Sequence, residues 1–417
     1  MKALAGFREL YPEEALRRGV IQSTWRKVAK NYGFEEYDGP TLEPLELYSK
    51  KNAGGEEILG QLYRFEDGGG RQVALRPEMT PSLARMAASR EKHYRKPMKW
   101  FAIGNFFRFE RQQRGRLREF IQLNCDLLGD ASPGADAELV AFAIDAMRAF
   151  GLRAEDFVVR ISHRGAWASY LAGKGIAPDR IPAVLQIADK LEREAPEVLE
   201  EKLHAVGLGL SELKAFIHGP PPPELHPVIE SLAARGLADF VEVDLSIVRG
   251  LAYYTGLVFE IFDRSKNLRA LAGGGRYDGL VAGLSEGAVD LPAVGFGMGD
   301  VVLGNFLGEV PHAEALMQIR LAEARASEVY VIVADETRRP EALKTVQDLR
   351  NAGLATEFSL SPSKVGKQFQ AAGQAHAKFA VLVGSEWPAV KVKVMSTRAE
   401  SEVPHGELAQ WLKTQQV

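Results

Sequence analysis

Cysteine is nearly absent from this chain of 417 residues, which contains only Cys125. A single cysteine excludes an internal disulfide and a zinc site built from cysteines, and it fits a reducing compartment. The sequence also lacks an apolar run near the ~20 residues needed to span a bilayer. Its start, from Met1 to Glu14, meets charge and a proline too early for a secretory signal. We therefore expect a cytoplasmic protein with no membrane contact.

An excess of charge of either sign is also missing. The chain has 52 Lys and Arg against 55 Asp and Glu, for a formal net charge of -3. This balance excludes a uniformly basic surface for binding nucleic acid, so any contact with RNA must come from local basic patches. Hydrophobic residues make up 46% of the chain, which is enough to build cores. Because the length exceeds what one core usually serves, we expect two domains, or three with insertions.

The spacing of apolar residues predicts two regions of different architecture. Hairpin-like strand signals, without regular crossover helices, predict an α+β domain with a central antiparallel sheet over residues 1–310. An Ala-, Leu-, Glu- and Lys-rich stretch at about 166–240 predicts a helical insertion into that sheet. After a linker at 311–327, strands alternating with helices predict a small C-terminal α/β domain over 328–417 with a mostly parallel sheet.

An arginine-rich stretch separates two predicted strands at 99–109 and 119–128. It contains five arginines and one glutamate in the eleven positions from Arg108 to Arg118. Guanidinium groups pair bidentately with phosphate oxygens and stay charged at any working pH, so this density suits a polyphosphate. A solvated hairpin tip is the alternative, and composition alone leaves both open.

Three further segments carry polar groups that suit a small ligand. Glu78 and Thr80 open a predicted helix after a proline, where ordinary helix capping is the alternative. Gln122 and Asp126 lie four apart on a predicted strand and therefore on one face. The paired tyrosines Tyr253 and Tyr254 alone would be sheet or core residues. They precede the block from Gly273 to Leu280, whose glycines would let backbone approach a substrate closely.

Together these segments resemble the histidyl-tRNA synthetases, a family of class II aminoacyl-tRNA synthetases. Arg108-Phe-Glu110 and Arg116-Leu-Arg-Glu-Phe120 look like motif 2 of that class. Leu75-Arg-Pro-Glu-Met-Thr80 is similar to the family's Leu-Arg-Pro-Glu-x-Thr motif. Arg249–Tyr254 and Gly273–Leu280 resemble the two blocks peculiar to this family. Another amino-acid specificity, such as threonine or proline, would require a different pocket.

The resemblance implies a role for each residue. Catalysis would fall to Arg108, at the α-phosphate and the amino-acid carboxylate, and to Arg249, which neutralises charge there. ATP would be bound by Arg108, Glu110, Arg116, Phe120 and Gly299, with Glu110 and Phe120 framing the adenine and Arg116 reaching the γ-phosphate. Histidine would be bound by Glu78, Thr80 and Gln122 at the amino group, by Asp126 and Tyr254 at the imidazole, and by Arg249, Tyr253 and Tyr277.

The implied reaction joins L-histidine and ATP into histidyl-adenylate with release of pyrophosphate, and then transfers histidine to the 3′ end of histidine tRNA. Mg²⁺ would accompany ATP, without a metal site fixed by the protein. The C-terminal domain resembles the anticodon-binding domain of this group. The stretch around Phe34–Pro44, with Pro40, looks like interface motif 1 and implies a homodimer.

Three positions depart from the family pattern. Val302 stands where motif 3 normally has an arginine, Ala252 replaces a common aspartate, and Asp126 replaces the usual glutamate. These departures are compatible with a divergent enzyme or with a non-catalytic regulatory or tRNA-sensing paralogue. Because the other substrate-facing positions are chemically suitable, we expect the enzyme. Arg269, shortly before the glycine run, is one candidate for supplying the missing charge.

Overall fold

The chain folds into two compact units, Met1–Met317 and Gln318–Val417. The structure is a computed structural model and describes residues 2–49, 55–111, 115–188, 190–191, 194–248, 253–265, 268–325 and 327–415. No helix in these ranges is long and apolar enough to cross a membrane. The boundary between the units lies inside a helix, Pro311–Arg325, in the segment that the sequence assigns to a linker.

The first unit contains twelve α-helices and eleven strands among its described residues, and a thirteenth helix, α13, crosses the boundary between the units. Its helices are α1 Pro12–Asn31, α2 Glu46–Ser49, α3 Gly55–Gly60, α4 Thr80–Arg90, α5 Pro133–Arg148, α6 Arg164–Gly173, α7 Ile181–Ala188, α8 Pro196–His204, α9 Leu210–Ile217, α10 His226–Ala234, α11 Leu280–Leu284, α12 Asp300–Glu309 and α13 Pro311–Arg325. Its strands are β1 Glu35–Glu36, β2 Leu42–Pro44, β3 Arg64–Glu66, β4 Gln72–Leu75, β5 Met98–Phe107, β6 Glu119–Leu128, β7 Phe157–His163, β8 Val241–Val243, β9 Leu257–Asp263, β10 Ala272–Arg276 and β11 Ala293–Gly299.

Eight of these strands form one sheet in the order β1-β5-β6-β11-β10-β9-β7-β8. The inner pairings are antiparallel, and only the edge pairs β1–β5 and β7–β8 are parallel. The predicted central antiparallel sheet is therefore confirmed. Strands β2, β4 and β3 form a separate small sheet. The predicted helical insertion is also confirmed, since α6 to α10 lie between β7 and β8 of the large sheet.

The core of this unit lies between the large sheet and α5. A serine at 132 caps this helix by accepting a hydrogen bond from Ala135 N, and a proline occupies its first turn. Most of its apolar residues, such as Leu139, Phe142 and Met147, are fully buried. Because α5 covers one face of the central strands, the opposite face can carry polar side chains that meet a ligand.

The second unit is a five-stranded sheet with helices α14 Arg339–Asn351, α15 Val365–Gln374 and α16 Leu408–Thr414. Its strands are β12 Val329–Val333, β13 Thr356–Phe358, β14 Phe379–Val383, β15 Ala389–Val394 and β16 Glu400–Pro404. The prediction of a mostly parallel sheet is wrong. Only β12 pairs in parallel, with β13 and β14, whereas β14–β15 and β15–β16 are antiparallel. The short connections after β14 and β15 cannot hold the long crossover that a parallel pair requires.

Candidate active site

The β5–β6 hairpin carries the first part of the site. It pairs antiparallel from Met98 opposite Leu128 to Phe107 opposite Glu119. On β6, alternate side chains point to the same face of the sheet, so Gln122, Asn124 and Asp126 form a polar row. Gln122 Nε2 donates to Asn124 Oδ1 at 3.0 Å.

Strand β11 lies beside this row and presents glycines to it. Gly295 is opposite Asp126 and Gly299 is opposite Gln122 in the antiparallel register. A Cβ on Gly295 would lie 1.8 Å from Asp126 Oδ1, and a Cβ on Gly297 would lie 1.6 Å from Gln122 Nε2. The side chains of Asp126 and Gln122 therefore fill the space that a side chain at Gly295 or Gly297 would occupy. The sequence analysis missed this function of Gly295 and Gly297, although their spacing of two matches one face of a strand.

A small cavity of about 60 Å³ contains most of the residues that the resemblance assigns to histidine. It is lined by Glu78, Thr80, Arg108, Gln122, Asn124, Asp126, Tyr253, Tyr254, Gly273, Tyr277, Gly295, Phe296 and Gly297. We call it the inner pocket. The structure thus brings together seven of the eight predicted residues. The eighth, Arg249, lies outside the described residues.

Two buried carboxylates dominate the chemistry of the inner pocket. Tyr253 donates its hydroxyl to Glu78 Oε2 at 3.0 Å, and Tyr277 donates to Asp126 Oδ1 at 2.5 Å. Burial raises the pKa of Asp126 to about 7, although the hydrogen bond from Tyr277 lowers it in part and the nearby charge of Glu78 raises it further. A pocket of this kind favours a ligand rich in N–H donors, such as an ammonium group and a ring N–H.

The turn that carries Glu78 is anchored by the buried Arg76. Its Nε donates to Asn105 O at 2.9 Å and its NH1 donates to Gly39 O at 2.7 Å. The helix α4 begins at Thr80, as the sequence predicts, but Glu78, which was predicted in the same first turn, lies two residues before it. Arg76 is a positioning residue that holds the turn against β5.

A larger cleft of about 670 Å³ contains all five predicted ATP residues. It is lined by Arg108, Glu110, Arg116, Phe120 and Gly299, together with Val302 and the segment 268–273. The guanidinium carbon of Arg108 lies 5.3 Å from the centroid of the Phe120 ring, and its Nε donates to Pro77 O at 2.9 Å. Arg116 forms an ion pair of 2.6 Å with Glu110. A cleft with arginines and an aromatic ring favours an anionic ligand that also has a flat ring.

The inner pocket and the cleft meet at four residues. Arg108, Gln122, Gly273 and Gly297 line both cavities. A ligand in the acidic pocket and an anion in the basic cleft would therefore approach each other beside the Arg108 guanidinium. Among the described residues, no cluster of three His, Cys, Asp or Glu side chains could hold a metal ion.

The fold and these two joined cavities define a class II aminoacyl-tRNA synthetase. Residues 6–299 match a family model described as histidyl-tRNA synthetase, and residues 328–415 match one described as an anticodon binding domain. The chain belongs to the histidyl-tRNA synthetase family.

Relatives along nearly the whole length support this membership. The histidine–tRNA ligase of Opitutus terrae is 42% identical over 98% of this chain and 97% of its own. That of Leptospira biflexa (strain Patoc 1 / Ames) is 35% identical over 98% and 96%. The crystal structure of histidyl-tRNA synthetase from Nostoc sp. PCC 7120 is 24% identical, covers 99% of this chain and 98% of its own, and superposes with a TM-score of 0.78. At that identity the superposition establishes the fold.

Proposed function

We propose that this chain activates L-histidine with ATP and transfers it to histidine tRNA. The relatives are named histidine–tRNA ligases, so the chain is an ATP-dependent aminoacyl-tRNA ligase. The acidic inner pocket and the basic cleft join at Arg108, and this junction is the main support for the roles proposed for individual residues. An amino acid and a nucleotide placed there would have their reacting groups side by side.

In the first step, a carboxylate oxygen of histidine attacks the α-phosphorus of ATP in line, and the bond to pyrophosphate breaks. Arg108 holds the carboxylate and the α-phosphate and stabilises the charge that grows in the transition state. Arg249 shares this role by resemblance alone, because its position is not described. No protein base is needed, since the attacking carboxylate is already ionised.

Glu78, Thr80 and Gln122 would bind the α-ammonium, while Asp126 and Tyr254 would read the two ring nitrogens of histidine. Tyr253 and Tyr277 orient the two carboxylates through their hydroxyls. A site that hydrogen-bonds both ring nitrogens can reject analogues lacking them by roughly 10⁴ to 10⁵. Asp126 suits this role despite being shorter than the family's glutamate, because it is fixed in place by Tyr277.

The adenine would stack on Phe120 with Glu110 beside it, near Gly299, and Arg116 would reach the outer phosphates. Mg²⁺ accompanying ATP would offset the phosphate charge as pyrophosphate leaves. The carboxylates of Glu110 and Glu260 line the cleft, and oxygen ligands of this kind suit Mg²⁺.

In the second step, the terminal ribose hydroxyl of the tRNA attacks the adenylate carbonyl, a phosphate oxygen of the adenylate takes the hydroxyl proton, and AMP leaves. The 328–417 domain would bind the anticodon, while residues 1–310 perform both chemical steps. We also propose a cytoplasmic homodimer. The exposed apolar side chains of Leu42, within the proposed motif 1, and of Phe65, on the same small sheet, would be available for its interface.

Amino-acid-dependent ATP–pyrophosphate exchange with all twenty amino acids tests the first step. We expect exchange with histidine alone, followed by charging of histidine tRNA when it is added. Histidine binding without exchange would instead support the non-catalytic paralogue, which the valine at position 302 would then favour. Light scattering of the purified protein tests the dimer, because a monomer at micromolar concentration would contradict it.

A further inference from the structure

The cleft is uncharged at the position where the resemblance predicts an arginine for the γ-phosphate. Val301 and Val302 lie in the first turn of α12, where they line the cleft. A Cβ on Gly115 would lie 3.2 Å from Val302 Cγ2, so the valine lies close to Gly115, the residue before Arg116. The side chain at 302 offers no charge to a phosphate. If ATP binds here, its terminal phosphate needs a cation from another element.

Four arginines line the described part of the cleft, and three of them already have partners. Arg108 donates to Pro77 O, Arg116 pairs with Glu110, and Arg160 pairs with Asp244 at 3.2 Å. Arg160 also lies 5.1 Å from the Phe262 ring. The fourth is Arg269, which forms no hydrogen bond or ion pair with any described residue. Its exposed guanidinium can therefore turn toward an anion without breaking a contact.

The backbone on both sides of Arg269 is fixed. Leu268 N donates to the buried carboxylate of Asp263 at 3.2 Å, and Leu271 N donates to Ile261 O at 2.7 Å. Asp263 ends β9, and Ala272 begins β10, so the sheet itself positions this segment at the cleft. Because the backbone at Arg269 is already held in place, binding an anion would cost conformational entropy mainly in the arginine side chain itself.

The balance of charge in the cleft also depends on Arg269. The four arginines face two glutamates, Glu110 and Glu260, among the described lining residues. Removing Arg269 halves the formal excess of positive charge from two to one. ATP carries most of its negative charge on the β- and γ-phosphates, so the loss of Arg269 would mainly weaken the binding of these two groups.

We propose that Arg269 binds the β,γ-phosphates of ATP and takes the place of the arginine missing at position 302. The proposal rests on the proposed adenylation function. It makes Arg269 a catalytic residue that stabilises the departing pyrophosphate. Its bidentate fork suits phosphate oxygens better than a lysine would.

Arg269→Ala tests this assignment in histidine-dependent pyrophosphate exchange. We expect kcat/KM for ATP to fall by roughly 10² to 10³, with a raised KM for pyrophosphate. Arg269→Lys should recover part of the loss, because it keeps the charge without the fork. The affinity for histidine, measured by calorimetry without nucleotide, should stay unchanged. Arg71→Ala, at an exposed arginine that pairs with Asp67 and does not line the cleft, is the matched control and should leave kcat/KM for ATP unchanged.

Nucleotide binding separates this proposal from the proposed function. Arg269→Ala should weaken ATP binding at least tenfold and leave AMP binding unchanged, and this can be measured even if the wild type shows no exchange. Failure of wild-type exchange alone would count against adenylation only. Equal weakening of ATP and AMP, or exchange within threefold of the wild type, would overturn the role of Arg269.

A reciprocal variant tests the equivalence of the two positions. Introducing Val302→Arg into Arg269→Ala should restore at least tenfold of the lost kcat/KM for ATP, because the cleft regains its cation near Arg116. No recovery in a folded double variant would show that position 302 cannot replace Arg269 and would overturn that part of the proposal.

Discussion

The inner pocket and the cleft lie side by side but have opposite charge: the inner pocket is acidic and the cleft is basic. The inner pocket is narrow, and its carboxylates are almost removed from water, since Glu78 is 5% and Asp126 is 3% exposed. The cleft is about ten times larger by volume and carries arginines that remain partly exposed. Burial strengthens hydrogen bonds and makes an unmatched group costly, so the inner pocket is suited to selecting a ligand. The open cleft is suited to binding charge.

The two regions also differ in how their side chains are held. In the inner pocket, hydroxyls of Tyr253 and Tyr277 fix the carboxylates, and glycines on β11 make room for them. In the cleft, two of the four arginines, Arg116 and Arg160, are held by ion pairs with neighbouring acids. We therefore expect substitutions in the inner pocket to change specificity and affinity for the amino acid. Substitutions in the cleft should change nucleotide affinity and rate.

Arg108 belongs to both regions, and its removal should have the largest effect. Arg108→Ala removes the positive charge that would contact both the amino-acid carboxylate and the α-phosphate, which are the groups that react. We expect kcat for histidine-dependent exchange to fall by about 10² to 10³ or more, which corresponds to about 3–4 kcal/mol of transition-state stabilisation. Arg116→Ala serves as the comparison, because it should raise KM for ATP more than it lowers kcat. The same kinetic pattern in both variants would contradict a special role at the junction.

Gly295→Ala should separate the inner pocket from the cleft. The new methyl group would lie 1.8 Å from Asp126 Oδ1, 2.8 Å from Asp126 Cγ and 3.2 Å from Cys125 O, so the carboxylate must leave its observed position. We expect histidine affinity to fall by roughly 10- to 100-fold, as for the loss of a hydrogen bond to a charged group. The affinity for ATP should stay within about threefold.

Gly279→Ala is the matched control for this variant, because a Cβ there would meet nothing within 4 Å. Gly279→Ala should retain the thermal midpoint of the wild type to within a few degrees, whereas Gly295→Ala should lower it, because overpacking a buried site costs about 1–3 kcal/mol. Histidine affinity is therefore compared at a temperature where both variants are folded. If Gly295→Ala binds histidine as tightly as the control does, Asp126 does not contact the ligand from its observed position.

Sequence motifs located most of this site, because each motif combines a charged residue with a turn or strand end. Arg108, Glu110, Glu78 and Asp126 were found in this way, and all of them line the two cavities. Strand β10 could not be predicted from its residues, since three successive glycines have little strand propensity. The structure explains them by close packing: a Cβ on Gly274 would lie 2.1 Å from Gly295 O.

The sequence predicts a helical insertion into one sheet, but the strand order and register across that insertion were beyond it. Strand β7 lies before the helical insertion, and its partners β8 and β9 come after it. Periodicity describes one segment at a time and gives no register between segments so far apart. For the same reason, the sequence could not reveal that Tyr277 donates to Asp126, 151 positions away. The raised pKa of Asp126 follows from that burial and was not predicted.

The smallest expected effect concerns pH and belongs to the inner pocket alone. Burial raises the pKa of Asp126 from 3.8 to about 7, so this carboxyl binds a proton below about pH 7. The folded state then holds this proton more tightly than the unfolded state, and the stability it contributes is lost as pH rises through about 7. Histidine requires ionised Asp126 as an acceptor, and its binding must therefore release the proton.

Histidine affinity should accordingly weaken by up to about tenfold per pH unit below pH 7 from Asp126 alone, in addition to the titration of the ligand's own imidazole near pH 6.5. Calorimetry at pH 6 in two buffers of different ionisation enthalpy counts the released protons. Asp126→Asn should release fewer protons than the wild type and show a flatter pH profile. ATP affinity should have the same pH profile in both proteins, because the cleft lacks a comparable buried acid among its described residues. Equal proton release by wild type and variant would mean that the ligand does not draw on the charge of Asp126.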